Sequence, residues 1–134
     1  MLPKAHRLHR SEDFHAVMRG GVKKGRRLVV VHLFRDDSSV RSGGPRFGLI
    51  VSKAVGNSVV RHRVSRRLRH ICWSMVGELP ADARVVIRAL PRCAEANAAA
   101  LESDVKSAVR QLRDGVFAEV VAPCHSEGAE LHGT

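Results

Sequence analysis

Tyrosine is absent from this 134-residue chain, and aromatic residues of every kind make up only 4% of it. That scarcity argues against an RNA-recognition sheet that stacks bases on exposed strand aromatics, because Phe47 alone cannot supply the platform. No cysteines form a C-x-x-C pair. Cys72, Cys93 and Cys124 stand far apart, so neither a zinc knuckle nor a disulfide framework is signalled, and they read as buried or incidental thiols in a reducing cytoplasm. No stretch of about 18 apolar residues occurs, and the basic start MLPKAHRLHR leads into no apolar run, so a cytoplasmic protein without a membrane partner is expected. Acid is missing from one long segment: Ser38 to Gly77 holds no Asp or Glu against eight Lys or Arg.

What is present is positive charge on a chain that can fold. The 23 Lys+Arg outnumber 13 Asp+Glu for a formal +10, while 44% hydrophobic residues suffice for the packed core of one domain. Residues 1 to 77 carry 17 basic and 4 acidic side chains (+13) and residues 78 to 134 carry 6 and 9 (−3), which places the binding surface in the first part. The densest stretch holds Arg61, Arg63, Arg66, Arg67 and Arg69. Five guanidiniums on about two and a half helical turns repel one another unless a polyanion neutralises them. Solvated helices usually carry i, i+4 acidic partners, and these arginines have none, so phosphate binding is favoured over solvation. Arginine rather than lysine points to bidentate phosphate contacts and stacking on bases.

The hydrophobic pattern predicts α-β-β-α-β-α, with an additional short strand near Lys23 to Arg27 compatible with the run. Residues 1 to 10 read as extended and unstructured. A helix over 11 to 19, with Phe14, Val17 and Met18 on its apolar face, stops at Gly20-Gly21. Strands are expected at Leu28–Phe34, Arg46–Ser52 and Arg84–Leu90, with a hairpin-type loop over Asp36 to Pro45. Asn57 or Ser58 caps a helix to about Val76, whose Val60, Val64, Leu68, Ile71 and Met75 form a narrow apolar stripe that Arg63 and Arg66 point away from. Asn97 caps a last helix to about Gly115, with Leu101, Val105, Ala108 and Leu112 facing inward. The fold class is α+β, a single-domain sandwich of helices on one mixed sheet over residues 1 to 118, and residues 119 to 134 form a disordered tail.

Around the arginine helix, the Lys53-to-Asn57 loop offers backbone N–H groups and the positive helix end as a site for one phosphate, evenly weighed against a plain glycine turn. Phe14 is most simply core, and Trp73, placed near Arg66 and His70, either covers their stems or stacks on a base. No catalytic residue and no metal-ligand set emerges: the histidines are scattered and the strands hold no clustered carboxylates. Three readings compete. An RNA-binding subunit leads, a structural RNA binder of the ribosomal type shares the charge and size, and DNA is disfavoured because the helix lacks Asn or Gln for base edges.

The run Arg46-Phe-Gly-Leu-Ile-Val-Ser-Lys-Ala-Val-Gly-Asn-Ser-Val-Val-Arg-His-Arg-Val-Ser-Arg-Arg-Leu-Arg69, with Arg7-Leu and Asp13-Phe14 before it, resembles the signature of the bacterial ribonuclease P protein component. The resemblance implies a ribonucleoprotein that removes the 5′ leader of precursor tRNA, its catalytic RNA subunit holding Mg²⁺ and hydrolysing the phosphodiester. It implies a fold like the second domain of ribosomal protein S5, with a left-handed β-α-β crossover. It implies RNA contacts by a helix motif that maps onto Arg61, His62, Arg63, Ser65 and Arg66, and the charge and loop reading adds Lys53, Asn57, Arg67 and Arg69 to the RNA-binding set. His62 stands where the family has asparagine and Ser65 where it has lysine, and Arg67 lies one position on from the missing charge. The resemblance also implies a leader cleft between the first helix and the sheet, to which Phe14, Met18 and His32 belong, with Met18 and His32 in place of the usual aromatics.

Overall fold

The computed structural model describes residues 6–8, 11–35, 45–80 and 82–116. The expected loop over 36–44, the tail over 119–134, His9, Phe117 and Cys124 lie outside them. Helix α1 (Ser11–Gly20) ends at the glycine pair for a steric reason. A Cβ on Gly21 would lie 2.5 Å from the Leu33 carbonyl oxygen and 2.6 Å from that of Val17, so no larger residue lets the chain turn there. The short strand β1 (Val22–Gly25) and strand β2 (Val29–Arg35) then pair antiparallel. Strand β3 (Arg46–Ile50), helix α2 (Ser58–Met75), strand β4 (Ala83–Ala89) and helix α3 (Ala98–Val116) complete the order.

The sheet runs β1-β2-β4-β3, with β4 antiparallel to β2 and parallel to β3, so α2 carries the crossover between the two parallel strands. The expected α+β fold is observed, with differences at the element ends. The β2 strand begins one residue late because the Leu28 amide donates to Asp104 Oδ2 of α3 at 2.9 Å, which ties the β1–β2 turn to that helix. The β3 strand stops two residues early, and the Val51 carbonyl accepts from Arg61 Nε at 3.2 Å instead of extending the ladder. Of the two candidate caps for α2, Asn57 serves: its Oδ1 accepts from the Val60 amide at 3.0 Å. Asn97 Oδ1 caps α3 through the Ala100 amide at 2.7 Å.

Strand alternation divides the sheet's two faces. On one face Val29, Val31, Leu33, Phe47, Val85 and Ile87 meet Val64, Leu68, Ile71, Cys72 and Met75 of α2 and Leu101, Val105, Val109 and Leu112 of α3. Cys72 completes the apolar stripe read for α2 and Val109 that of α3, while Val60 is only half-buried. On the other face a smaller cluster forms from Leu8, Val17 and Val86, flanked by Phe14, Met18, Phe34 and Ile50.

The start of the chain is not wholly unstructured. Arg7 pairs parallel with Phe47, the Leu8 amide donates to the Phe47 carbonyl at 2.9 Å, and residues 6–8 thereby cover the β3 edge. Gly48 of β3 makes the seat for Phe14: a Cβ there would lie 2.5 Å from Phe14 Cε1 and Cζ and 3.1 Å from Leu8 Cδ1. Gly48→Ala therefore pushes the Phe14 ring outward and is expected to lower stability by about 1–3 kcal/mol in urea unfolding. The same substitution made in Phe14→Ala should cost little, giving a coupling of the opposite sign in a double-mutant cycle.

Candidate nucleic-acid interface

The α2 arginines fall into two groups. Arg61, Arg63 and Arg67 are half-buried and each reaches a backbone carbonyl on a neighbouring segment. Arg61 Nε donates to Val51 at 3.2 Å, Arg63 Nη2 to Ala94 at 3.1 Å and Arg67 Nη1 to Ala96 at 3.1 Å. Arg63 is thus not a purely outward residue, and its Nε is buried without a hydrogen-bond acceptor. A guanidinium has five N–H donors, so each of the three keeps donors and its full charge after making one such bond. Arg66 is exposed and Arg69 half-buried, and neither makes an ion pair or hydrogen bond among the described residues. His62 is exposed on the same side. A cavity of about 330 Å³ beside this face is lined by Arg66, Arg67, His70, Ile71, Ala98 and Glu102, where α2 meets the start of α3.

The loop before α2 has the plain turn that was one of its two readings. The amides of Ala54, Val55 and Gly56 donate within the loop, to Ser52 Oγ, Ser52 O and Lys53 O respectively, so these N–H groups do not form a phosphate cradle. Lys53 and Asn57 remain exposed at the loop, with Asn57's oxygen engaged in the cap.

The second surface lies on the opposite face of the sheet. In register, Lys23, His32, Val86 and Gly48 form one row across the four strands, and Gly25, Val30, Arg88 and Ile50 form the next. Phe14 seats over Gly48, and Phe14 and Met18 pack on the cluster around Val86, so the three residues read as a cleft are brought to one face. Phe14 is neither fully core nor fully free, being half-buried. Sequence reasoning missed Arg88, exposed on this floor two positions from Val86; strand alternation with a known strand order would have found it. The open depression of about 580 Å³ at α1 is lined by His15, Ala16, Arg19, Gly20 and Phe34, a set that includes none of the three.

His32 is 7% exposed, and its Nε2 is buried without a partner. Burial first, then the positive charges of Lys23 and Arg88, hold its pKa below the ordinary 6.5. Both surfaces therefore carry exposed cationic side chains, one along a helix and one along a sheet.

Comparison with known proteins narrows the class of ligand. A family model described as Ribonuclease P matches residues 2–113. The ribonuclease P protein component of Nocardia farcinica is 52% identical over 130 residues, covering 84% of this chain and 83% of the relative. That of Corynebacterium diphtheriae is 49% identical over 115 residues, covering 84% and 97%. Among solved structures, the RNase P protein of Staphylococcus aureus matches with a TM-score of 0.70 at 20% identity, over 80% of this chain and 94% of its own. The RNase P protein of Thermotoga maritima matches with 0.64 at 18% identity, over 80% and 94%. At that identity the structural likeness bears on the fold alone.

Two substitution experiments follow from the site geometry. Arg63→Ala removes the bond to Ala94 and is expected to lower stability by about 1–2 kcal/mol, whereas Arg66→Ala leaves the melting temperature unchanged; thermal unfolding of the pair checks this. For His32 the unfolded chain binds a proton more readily than the folded one, so its neutral form favours folding fully above pH 6.5, and this advantage is lost as pH falls below 6.5 through the lowered native value. His32→Phe should therefore flatten the stability decline on acidification relative to the unsubstituted protein, measured by urea midpoints across pH 7 to pH 5.

Proposed function

The chain belongs to the ribonuclease P protein family, which supplies the protein component of an endoribonuclease, and from that premise we propose how its two surfaces divide the work. Helix α2 binds the catalytic RNA subunit, and the cleft between α1 and the sheet takes the 5′ leader of precursor tRNA. The observation that carries this reading is the state of the α2 arginines: three are fastened by neutral carbonyls, so the helix is held in place with its positive charge undiminished. Arg66, Arg69 and His62 meet phosphates from the outer side, with Arg61, Arg63 and Arg67 adding field and their remaining donors. Lys53 extends the cationic surface from the loop.

In the cleft, Phe14 and Met18 form an apolar wall, and Lys23 and Arg88 a cationic floor over the buried His32. A single strand fits that pairing, since bases meet the wall and phosphates the floor. A paired acceptor helix, too stiff to enter, stays outside. The protein thereby distinguishes precursor from mature tRNA by the presence of the leader.

Hydrolysis is assigned to the RNA subunit together with the Mg²⁺ that the reaction requires. Four carboxylates among the described residues are already engaged and do not fit that ion. Glu78 is held by Arg110 and Arg113, Asp82 by Arg35, Glu102 by Lys106, and Asp104 by the Leu28 amide. Among the described residues no three His, Cys, Asp or Glu side chains converge as ligands. The protein contributes by offsetting phosphate repulsion that would otherwise need extra divalent ions.

A cleavage assay on precursor tRNA across Mg²⁺ concentrations tests the whole reading. Protein alone should leave the substrate intact. Added to the catalytic RNA at near-physiological salt, it should raise cleavage and lower the Mg²⁺ requirement, with the benefit shrinking at high Mg²⁺. Cleavage by the protein alone, after contaminating nucleases are excluded, would make it an enzyme in its own right and overturn the assignment.

A further inference from the structure

Trp73, the chain's one tryptophan, is 45% exposed on α2 although burying an indole is among the larger apolar gains open to a side chain. Helix geometry aligns it with His62, Arg66 and Arg69 at steps of four, three and four residues, a stripe about 16 Å long on the side of α2 away from Val64, Leu68, Ile71 and Met75. Its ring is not loose. The His6 imidazole lies against it with centroids 6.0 Å apart and planes at 54°, and His6 is itself fixed by a 2.8 Å hydrogen bond between Nδ1 and the Pro45 carbonyl. Sequence spacing placed Trp73 beside Arg66 and His70, and its aromatic contact is instead with a residue 67 positions earlier.

A tryptophan that merely shielded its neighbours would be covered by them. This one is braced on one side, left open on the other, and preceded along its stripe by two guanidiniums with no acidic residue anywhere in α2. We propose that Trp73 is a stacking platform for an unpaired nucleobase of the RNA partner, positioned by His6 and loaded by a strand whose phosphates meet Arg66 and Arg69. Charge complementarity commits the occupant: a cationic, acid-free stripe around a flat aromatic fits a single-stranded polyanion bearing bases, and does not fit an apolar protein partner. The stripe then reads two chemistries in sequence, phosphate along its first two turns and base at its end. A stem of the RNA passing over Arg66 would deliver its flanking unpaired nucleotide to Trp73.

The inference rests on the proposal that α2 faces RNA, and the experiment separates the two. Because Trp73 is the only tryptophan, its fluorescence in the full-length protein reports this position alone, while anisotropy of a dye-labelled oligonucleotide reports binding anywhere. The probes are an RNA oligoadenylate of about ten nucleotides and an abasic RNA of equal length and charge. Oligoadenylate should quench Trp73, and the abasic strand, at concentrations where anisotropy shows equal occupancy, should not. Trp73→Ala should weaken oligoadenylate binding about five- to 150-fold, Trp73→Phe much less, and the abasic affinity should be alike for all three proteins. Oligonucleotide binding with unchanged fluorescence, or equal quenching by the abasic strand, would overturn the platform and leave the RNA reading standing. Absence of any anisotropy change at low salt would overturn both.

Discussion

A helix meant to hold a polyanion has to be fastened to its own protein without losing its charge. The usual anchor for an arginine is a carboxylate, and a carboxylate would cancel the field that draws phosphate. Here the anchors are the carbonyls of Val51, Ala94 and Ala96, which accept a charge-assisted hydrogen bond while contributing no net charge. Those carbonyls lie just past β3 and in the connection between β4 and α3, so the same bonds that keep α2 charged also fix it over the sheet. Among the described residues, Glu78, Asp82, Glu102 and Asp104 are engaged elsewhere, by Arg35, Lys106, Arg110 and Arg113 and by the Leu28 amide.

The sheet separates the two surfaces to which we assign the RNA subunit and the leader. Its α2/α3 face is closed by a continuous apolar core, and α2 presents its arginines beyond that core. Its other face carries only a small cluster around Val86, because α1 is short and crosses just part of the sheet. What α1 leaves uncovered is a floor of mixed polarity, with exposed Arg88 and half-buried Val30 and Ile50 on adjacent strands beside the buried His32. The absence of a side chain at Gly48 lets Phe14 settle against the strand rather than stand above it, which sets the depth of that cleft.

Much of this was legible in the sequence because periodicity and capping are local signals. The α2 stripe, the Asn57 and Asn97 caps, the stop at Gly20-Gly21 and the strand centres all followed from spacing within a few residues. Strand ends were misplaced where a side chain from elsewhere claimed the backbone, as Asp104 claims the Leu28 amide and Arg61 the Val51 carbonyl. The partners of Trp73 and Phe14 were hidden for the same reason: His6 and Gly48 are distant in sequence, and neither contact leaves a local pattern. The arginines were recognised as a group, but their division into fastened and open members depends on carbonyls about thirty residues away, and composition carries no trace of it.

The sheet order has a consequence for the chain as it is made. Strands β2 and β3 are not neighbours; both pair with β4, which is the last strand in the sequence. A nascent chain that has emerged only through α2 therefore holds two strands with no ladder between them, and the fold can close only when Ala83–Ala89 slide into the gap. During that interval the arginine helix is already synthesised, next to a ribosome built largely of polyanion. Its apolar stripe has no complete core to bury against, so the order of synthesis exposes this chain to its own class of ligand before it has a native structure with which to discriminate.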